Sequence, residues 1–341
     1  MSDVAIVILN LNGRRWLDDC LASLSKLTIP AEVVIADNGS TDGSVDYVRE
    51  RFPAVRLLDL GTNLGFAAGY NRALAGVDHP WCVLLNNDAT LEPTWLENLL
   101  AVATREPRAA ILGGKLLFSR NDDSELLLQS AGACFTDAGT AFEIGWGQVD
   151  RGQYDRPGWV GSIPGAAMLV KRSVFCELGG FDAAYFAYLE DVDLCWRAWL
   201  AGYETHYAPE AVAFHHFGAS GGGRASPFRI QWMQRNRLAN MFKNLERASL
   251  PWGLAVSLAY DAYRILEFTG RGHFAGLQAL AAGSRAFWRD LRSILERRAL
   301  IQRTRRLSDG ELRKRGLLVP ASAALREHRR LNRLAMSWPA V

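Results

Sequence analysis

The chain has no paired-cysteine pattern. Its five cysteines (Cys20, Cys82, Cys134, Cys176, Cys195) are odd in number and scattered, and no CxxC occurs. That spacing indicates neither a zinc cluster nor a disulfide framework, and reduced, intracellular thiols are expected. No run of eighteen apolar residues exists, so no membrane-spanning helix is expected. The start, MSDVAIVILNLNG, lacks a basic leader and reaches polar residues by Asn10, which reads as a first strand and not a signal peptide. Internal repeats and low-complexity segments are missing too. No recognised nucleic-acid motif is present, so no nucleic-acid partner is expected.

What is present is the composition of a globular protein. The 341 residues are 49% hydrophobic and 22% charged, enough for one large domain with an appendage or for two domains. The net charge of +3 conceals an asymmetry. From Arg285 onward, fifteen Lys and Arg stand against five Asp and Glu, a net of +10, which leaves −7 for residues 1–284. An acidic front and a basic tail suggest different partners.

The organising stretch is Trp81–Asp88, WCVLLNND. An apolar run closed by a polar cluster reads as an interior strand of a parallel sheet. Open α/β sheets bind ligands outside the carboxyl ends of their strands, which is where Asp88 falls. A carboxylate there could equally cap the next helix. Around it, apolar strands at Val4–Leu9, Glu32–Ala36 and Val55–Leu60 alternate with helical patterns, and each strand runs into unusual polar residues. This predicts a doubly wound α/β sheet with Asp37, Asn63 and Asp88 gathered on one rim, as a nucleotide site requires. Between 113 and 165 only short strands near Lys115–Phe118 and Ala133–Phe135 are legible, followed by a strand at Ala166–Val170 and a short helix at Arg172–Leu178.

Two further stretches carry chemistry. In Phe181–Trp199, Val192, Cys195, Trp196 and Trp199 fall at helical spacing, which predicts an amphipathic helix whose first turn holds Glu190, Asp191 and Asp193. Acids are favoured there by the helix dipole, and Asp193 can pair with Arg197 at i+4. A carboxylate kept ionised in this way can also take a proton from an alcohol. Next come His215-His216 and a glycine-rich segment ending in Arg224, which could close over a phosphate. Adjacent histidines cannot both face one site.

Taken together, Asp37–Ser44 (DNGSTDGS), Asn63–Asn71 (NLGFAAGYN), Leu85–Asp88, Gly180-Phe181-Asp182, Tyr188–Asp193 and His215 to Ser220 resemble, in order and spacing, the family 2 glycosyltransferases. The rhamnosyltransferase-like branch of bacterial polysaccharide assembly is the most similar, and the similarity covers residues 4–224. The resemblance implies a GT-A fold: a mixed, mainly parallel Rossmann-like sheet flanked by helices, with a nucleotide-binding half (1–110) and an acceptor-binding half (111–224). It implies an inverting, metal-dependent transfer from a nucleoside diphosphate sugar. Asp37 would meet the base, and Asn10, Asn12, Asn63, Gly65, Asn71, Asn87 and Arg224 would line the nucleotide-sugar pocket. Asp88, last residue of the family's D-x-D element, and His215 would hold Mn2+ or Mg2+, with Asp191 as the base and Glu190 beside it. Two departures stand out: Asn86-Asn87-Asp88 has one carboxylate where fuller versions have two, and Leu11 stands where an aromatic ring often stacks on the base.

From Pro227 the character changes. Gln231–Asn244, Leu250–Phe268 and Phe274–Leu291 read as helices, the second with a polar stripe of Asp261, Arg264 and Glu267. This basic, amphipathic region (225–341) is read either as a helical subdomain with a solvated basic face or as a membrane-surface device. The expected protein is a cytoplasmic glycosyltransferase at the inner face of the plasma membrane, moving L-rhamnose from dTDP-L-rhamnose to a glycan or polyprenyl-linked acceptor, with homo-oligomerisation left open. The same fold using a UDP-sugar, a sugar nucleotidyltransferase and a silent scaffold are the rivals. The second should carry a basic phosphate loop after the first strand, which Asn10–Arg15 represents poorly.

Overall fold

The computed structural model describes residues 3–119, 125–216 and 226–322. Its first half alternates as expected: β1 (Val4–Asn10), α1 (Arg14–Leu24), β2 (Glu32–Asp37), α2 (Ser44–Arg51), β3 (Arg56–Asp59), α3 (Gly65–Leu74) and β4 (Trp81–Asn86). A short β5 (Ala89–Leu91) and α4 (Trp95–Arg105) follow, then β6 (Ala109–Phe118), β7 (Leu128–Ser130), β8 (Ala133–Thr136), β9 (Ala141–Glu143), β10 (Gly158–Trp159) and β11 (Ala167–Lys171). The middle of the chain is completed by α5 (Arg172–Glu177), α6 (Glu190–Leu200) and β12 (Glu204–His215).

The main sheet runs β10-β12-β6-β11-β4-β1-β2-β3, with β5 on β12 and β7 on β6. The pairs β4–β1, β1–β2 and β2–β3 are parallel, whereas β11 lies antiparallel between β4 and β6. The sheet is therefore mixed, mainly parallel, rather than doubly wound throughout. Periodicity could not show this, because β11 is as apolar as its parallel neighbours. β6 is ten residues long and buried along nine of them, so only its end had been legible. Gly114 explains part of that: a Cβ there would sit 1.6 Å from the Ala211 carbonyl oxygen, so β6 must be bare where β12 bulges against it.

The C-terminal region is α7 (Pro227–Asn244), α8 (Leu250–Gly270), α9 (Phe274–Thr304), α10 (Asp309–Lys314) and β13 (Leu318–Val319). It shares the main core: Leu238, Met241, Phe287, Ile294 and Leu312 belong to the same buried cluster as Tyr70, Met168 and Trp196. β13 pairs with β8 and completes a small sheet, β13-β8-β9. This overturns two expectations. Every residue of α6 except Asp191 is buried, so the helix has no solvent face; α7 and α9 cover it. Nor are three of the four basic residues of α7 solvated: Arg235, Arg237 and Lys243 are almost fully buried, each against a carboxylate. Arg298, Arg305 and Gln302 cap the last carbonyls of α7, which otherwise lack partners.

Candidate active site

The parallel register places Asn10 beside Asp37, and Leu9 beside Asn86, at the carboxyl rim. Buried Asn10 sits at the centre of a polar lattice. Its Nδ2 lies 3.1 Å from Asp37 Oδ1, 3.1 Å from Ser40 Oγ and 2.9 Å from Ser44 Oγ, while its Oδ1 accepts from Asn87 Nδ2 at 2.9 Å. Asp37 Oδ2 accepts the N–H groups of Gly39 (3.2 Å) and Ser40 (2.9 Å), which folds the loop after β2 into a tight turn. Asn12, in a left-handed conformation (φ 52°), accepts from the Thr41 N–H at 2.7 Å and ties the two loops together. Gly13 was missed by sequence reasoning. A Cβ on it would lie 1.9 Å from Asn87 Nδ2, so only glycine lets Asn87 reach Asn10.

Asn63 Oδ1 accepts from the Gly65 N–H at 2.9 Å and lies 3.3 Å from Nδ2 of the buried Asn38. Gly65 (φ +78°) opens α3 against Phe186, whose carbonyl accepts the Phe66 N–H; a Cβ at Gly65 would lie 2.6 Å from that carbonyl oxygen. Asn71 faces a different task. Its amide forms a two-way clasp with the backbone of Phe181, donating to its carbonyl and accepting from its N–H, both at 2.8 Å. It joins the two halves of the domain. Arg224 and the glycine segment around it lie outside the described residues.

Of the two histidines, His215 turns to Asp88: Nε2 stands 3.2 Å from Oδ1, and both residues are buried. Asn86 Nδ2 also lies 3.2 Å from Nε2. Nδ1 faces the Gln129 amide, 3.1 Å from Oε1 and 3.0 Å from Nε2, which fixes the plane of the ring. An imidazole nitrogen and a carboxylate oxygen thus come together at one place, a nitrogen and oxygen pair that could ligate a divalent ion such as Mn2+. His216 instead stacks on Trp16 (centroids 4.3 Å apart), and its backbone N–H donates to the Asp88 carbonyl. A second cluster, Glu106, Glu204 and His206, brings ligand atoms within 4.8 Å of one another, but at the start of β12, the opposite end from His215. Arg108 already pairs with Glu204 there, at 2.7 Å.

On the other side of the rim, Asp191 at the start of α6 accepts from the Gly165 N–H (2.9 Å) and the Val192 N–H (2.7 Å). Burial raises its pKa, against those two hydrogen bonds and the Arg229 charge. Glu190 is buried, its Oε2 meets no hydrogen-bond partner, and burial together with Asp191 pushes its pKa far up. A carboxyl held neutral in this way can donate a hydrogen bond but is a poor base. Asp193 does what i+4 spacing suggested and more: it meets Arg197 Nε at 2.8 Å, Lys243 Nζ at 2.8 Å and Asn244 Nδ2 at 3.2 Å. Despite the desolvation penalty, Arg197 and Lys243 hold its carboxyl well below the usual range.

The segment that delivers Asp191 is strained. Phe186, Tyr188 and Leu189 all have positive φ (54°, 70° and 66°), a conformation that costs side-chain-bearing residues energy. Asn236 of α7 holds it, its Nδ2 lying 3.0, 2.9 and 2.8 Å from the carbonyls of Tyr185, Ala187 and Tyr188. Asn240 adds a 2.5 Å bond from the Tyr185 hydroxyl. Sequence reasoning missed these residues. The signal was there: Asn236, Asn240 and Asn244 recur at i, i+4 and i+8 inside a helix, where asparagine is unfavourable unless it has a partner. Phe186, Tyr188, Phe228 and Trp232 form an aromatic cluster next to this segment, with Phe186 stacked on Trp232 at 5.3 Å.

Comparison with known proteins identifies the family and the fold. The glycosyl transferase family 2 model matches residues 5–179. The chain is 34% identical over 292 residues to the N-acetylglucosaminyl-diphospho-decaprenol L-rhamnosyltransferase of Mycobacterium tuberculosis, covering 78% of this chain and 94% of that one. A segment of 52 residues, 15% of this chain and 20% of that one, is 50% identical to the rhamnosyltransferase WbbL of Escherichia coli. Among solved structures, S. aureus TarS 1-349 in complex with UDP-GlcNAc superposes with a TM-score of 0.56 at 17% identity, covering 84% of this chain and 82% of that one. The mannosyltransferase PcManGT from Pyrobaculum calidifontis, in complex with GDP-Man and Mn2+, gives 0.53 at 19% identity, over 85% and 75%. These likenesses show a GT-A fold. The chain belongs to glycosyl transferase family 2 and is a glycosyltransferase.

Proposed function

We propose that the chain transfers L-rhamnose from dTDP-L-rhamnose to a sugar carried on a polyprenyl diphosphate, with inversion, at the inner face of the plasma membrane in cell-surface glycan synthesis. The observation that carries this reading is that two groups from separate elements reach the same end of the sheet: Asp88 with His215 beyond β4, and Asp191 of α6 on the Gly165 N–H just before β11, which pairs with β4. The mycobacterial relative, whose name states a decaprenyl-diphosphate-linked acceptor and an L-rhamnosyl donor group, supports the choice of substrates.

In a single displacement, the acceptor oxygen attacks C1 of the sugar while Asp191 takes the hydroxyl proton. The C1–O bond to the diphosphate breaks on the opposite face, and the dTDP leaving group carries away the electron pair. Asp88 and His215 would hold a divalent ion, which when bound supplies charge neutralisation for the diphosphate. The Asn10–Asp37–Asn87 lattice fixes the nucleoside loops, and Glu190, kept neutral beside Asp191, can donate a hydrogen bond to the acceptor.

The test is turnover of dTDP-L-rhamnose against UDP-sugars on an N-acetylglucosaminyl-diphospho-polyprenol acceptor with Mn2+, with the product's anomeric configuration read by NMR. Transfer of rhamnose with inversion is expected. Turnover of UDP-sugars alone would overturn the donor, and retention would overturn the single displacement.

A further inference from the structure

α8 is built inside out. Its inner face is polar: Ser257 Oγ accepts from Arg237 at 2.6 Å, Asp261 pairs with Arg237, and Gln234 Nε2 donates to Asp261 at 3.1 Å. Only Gly253 and Ser257 are fully buried on this 21-residue helix. Every exposed position from Pro251 to Leu266 is apolar. Trp252 is 60% exposed, Leu258 69%, Ile265 47% and Leu266 73%. A helix at a water-facing surface shows the opposite arrangement, with its apolar stripe turned to the core. No described residue covers this outer face.

We propose that the outer face of α8 inserts in-plane into the headgroup–acyl boundary of an anionic membrane. The inference rests on the reading of a lipid-linked acceptor and assigns the element that would bring the enzyme to it. Three observations select a lipid surface. No helix among the described residues is long and apolar enough to cross a membrane, so α8 can only lie on one. Trp252 donates its indole N–H to the buried Asp137 Oδ2 at 3.1 Å while its ring projects outward, so the ring can enter an apolar phase with its donor already satisfied. The surrounding charge is positive: between 246 and 305 six arginines (Arg247, Arg271, Arg285, Arg289, Arg292 and Arg303) and one carboxylate, Glu296, are exposed, with Arg247 and Arg271 at the two ends of α8. Anionic lipid attracts such a surface. At 1.5 Å per residue α8 presents a face about 30 Å long.

The experiment is flotation of the full chain with phosphatidylcholine vesicles and with mixed phosphatidylcholine–phosphatidylglycerol vesicles, comparing the native protein with a Leu258→Asp/Leu266→Asp variant. Both leucines are solvent-facing, so the fold is retained, as circular dichroism would verify. Native protein is expected to float with the mixed vesicles, and the variant to bind about a hundredfold more weakly. Bromine-labelled acyl chains are expected to quench native tryptophan fluorescence, and a Trp252→Phe variant to lose part of that quenching. Equal flotation of native and variant protein, or none by either, would overturn the proposal. So would a native dimer that the double variant converts to monomer without any change in flotation, since the face would then belong to a second copy. Native flotation lost in the variant, in a protein that turns over no nucleotide sugar, would leave this inference standing and remove the catalytic reading instead.

Discussion

His215 and Asp88, brought together from β12 and the loop after β4, meet at 3.2 Å between Nε2 and Oδ1. If they hold a divalent ion, His215→Ala and Asp88→Asn should each weaken Mn2+-dependent binding of a nucleoside diphosphate by tenfold or more. Metal-free binding should stay nearly unchanged. Gln129→Ala removes only the partner of Nδ1 and should cost about tenfold, as outer partners of ligating histidines do. Isothermal titration with and without Mn2+ checks all three. A full metal effect in His215→Ala would remove His215 from the site.

Asp191 is the base if its loss strikes chemistry and spares binding. Asp191→Asn should lower kcat by about a thousandfold and leave donor affinity intact. The base works ionised, and burial raises its pKa. Activity in the native enzyme should therefore fall as pH drops through a midpoint above the ordinary carboxylate range. A variant with normal turnover would end the assignment.

Asn236 acts through the strained segment, whose carbonyls take up its side-chain amide. Asn236→Ala leaves the carbonyls of Tyr185, Ala187 and Tyr188 short of a donor inside the protein and frees Leu189 to relax. The expected result is a kcat loss of at least tenfold with the donor KM unchanged, and an acid-limb midpoint shifted toward the ordinary carboxylate value as Asp191 gains solvent. A loss of folded protein with an unshifted midpoint would mean that Asn236 supports the fold alone.

Much of the rim was legible because it obeys local rules. Asn10, Asp37 and Asp88 each end an apolar strand, and a parallel sheet must align such ends. The choice between His215 and His216 was not legible, since it depends on the register of β12 against β5 and on Trp16 being near enough to stack. Asn71 could not be told from a pocket residue, because its clasp is to a backbone far along the chain. The greatest difference lies in α7. Its basic residues look solvated from sequence because their partners, Asp182, Asp193, Asp261 and Asp290, come from three other parts of the chain.

Those partners make α7 a structural necessity. Lys243 is buried between Asp182 and Asp193, 2.8 Å from each. Replacing it by Met would leave both carboxylates short of a cation and should destabilise the protein by about 3–5 kcal/mol. The pH dependence follows from Asp193, whose folded pKa is depressed. Its contribution is present above the unfolded value and is lost as pH falls through the folded one. Lys243→Met should therefore raise the midpoint of acid unfolding, measured by tryptophan fluorescence. An unchanged midpoint would mean that Arg197 alone holds Asp193.

Glu143 should give the opposite sign. Burial, with a smaller contribution from the Asp191 charge, pushes its carboxyl up to about 7 against the Ser130 hydrogen bond, from an ordinary 4.5. Below 4.5 both folded and unfolded chains hold the proton. Between 4.5 and 7 the unfolded chain releases it while the folded protein keeps it, so stability falls as pH rises and levels off above 7. Glu143→Gln cannot titrate, and it should match the native protein near pH 4 while gaining about 3 kcal/mol over it at pH 8. Urea midpoints at the two pH values measure the difference. A Gln variant that loses stability over the same window as the native protein would place the titration on another buried acid, and Glu190, unpartnered beside Asp191, would be the first to examine.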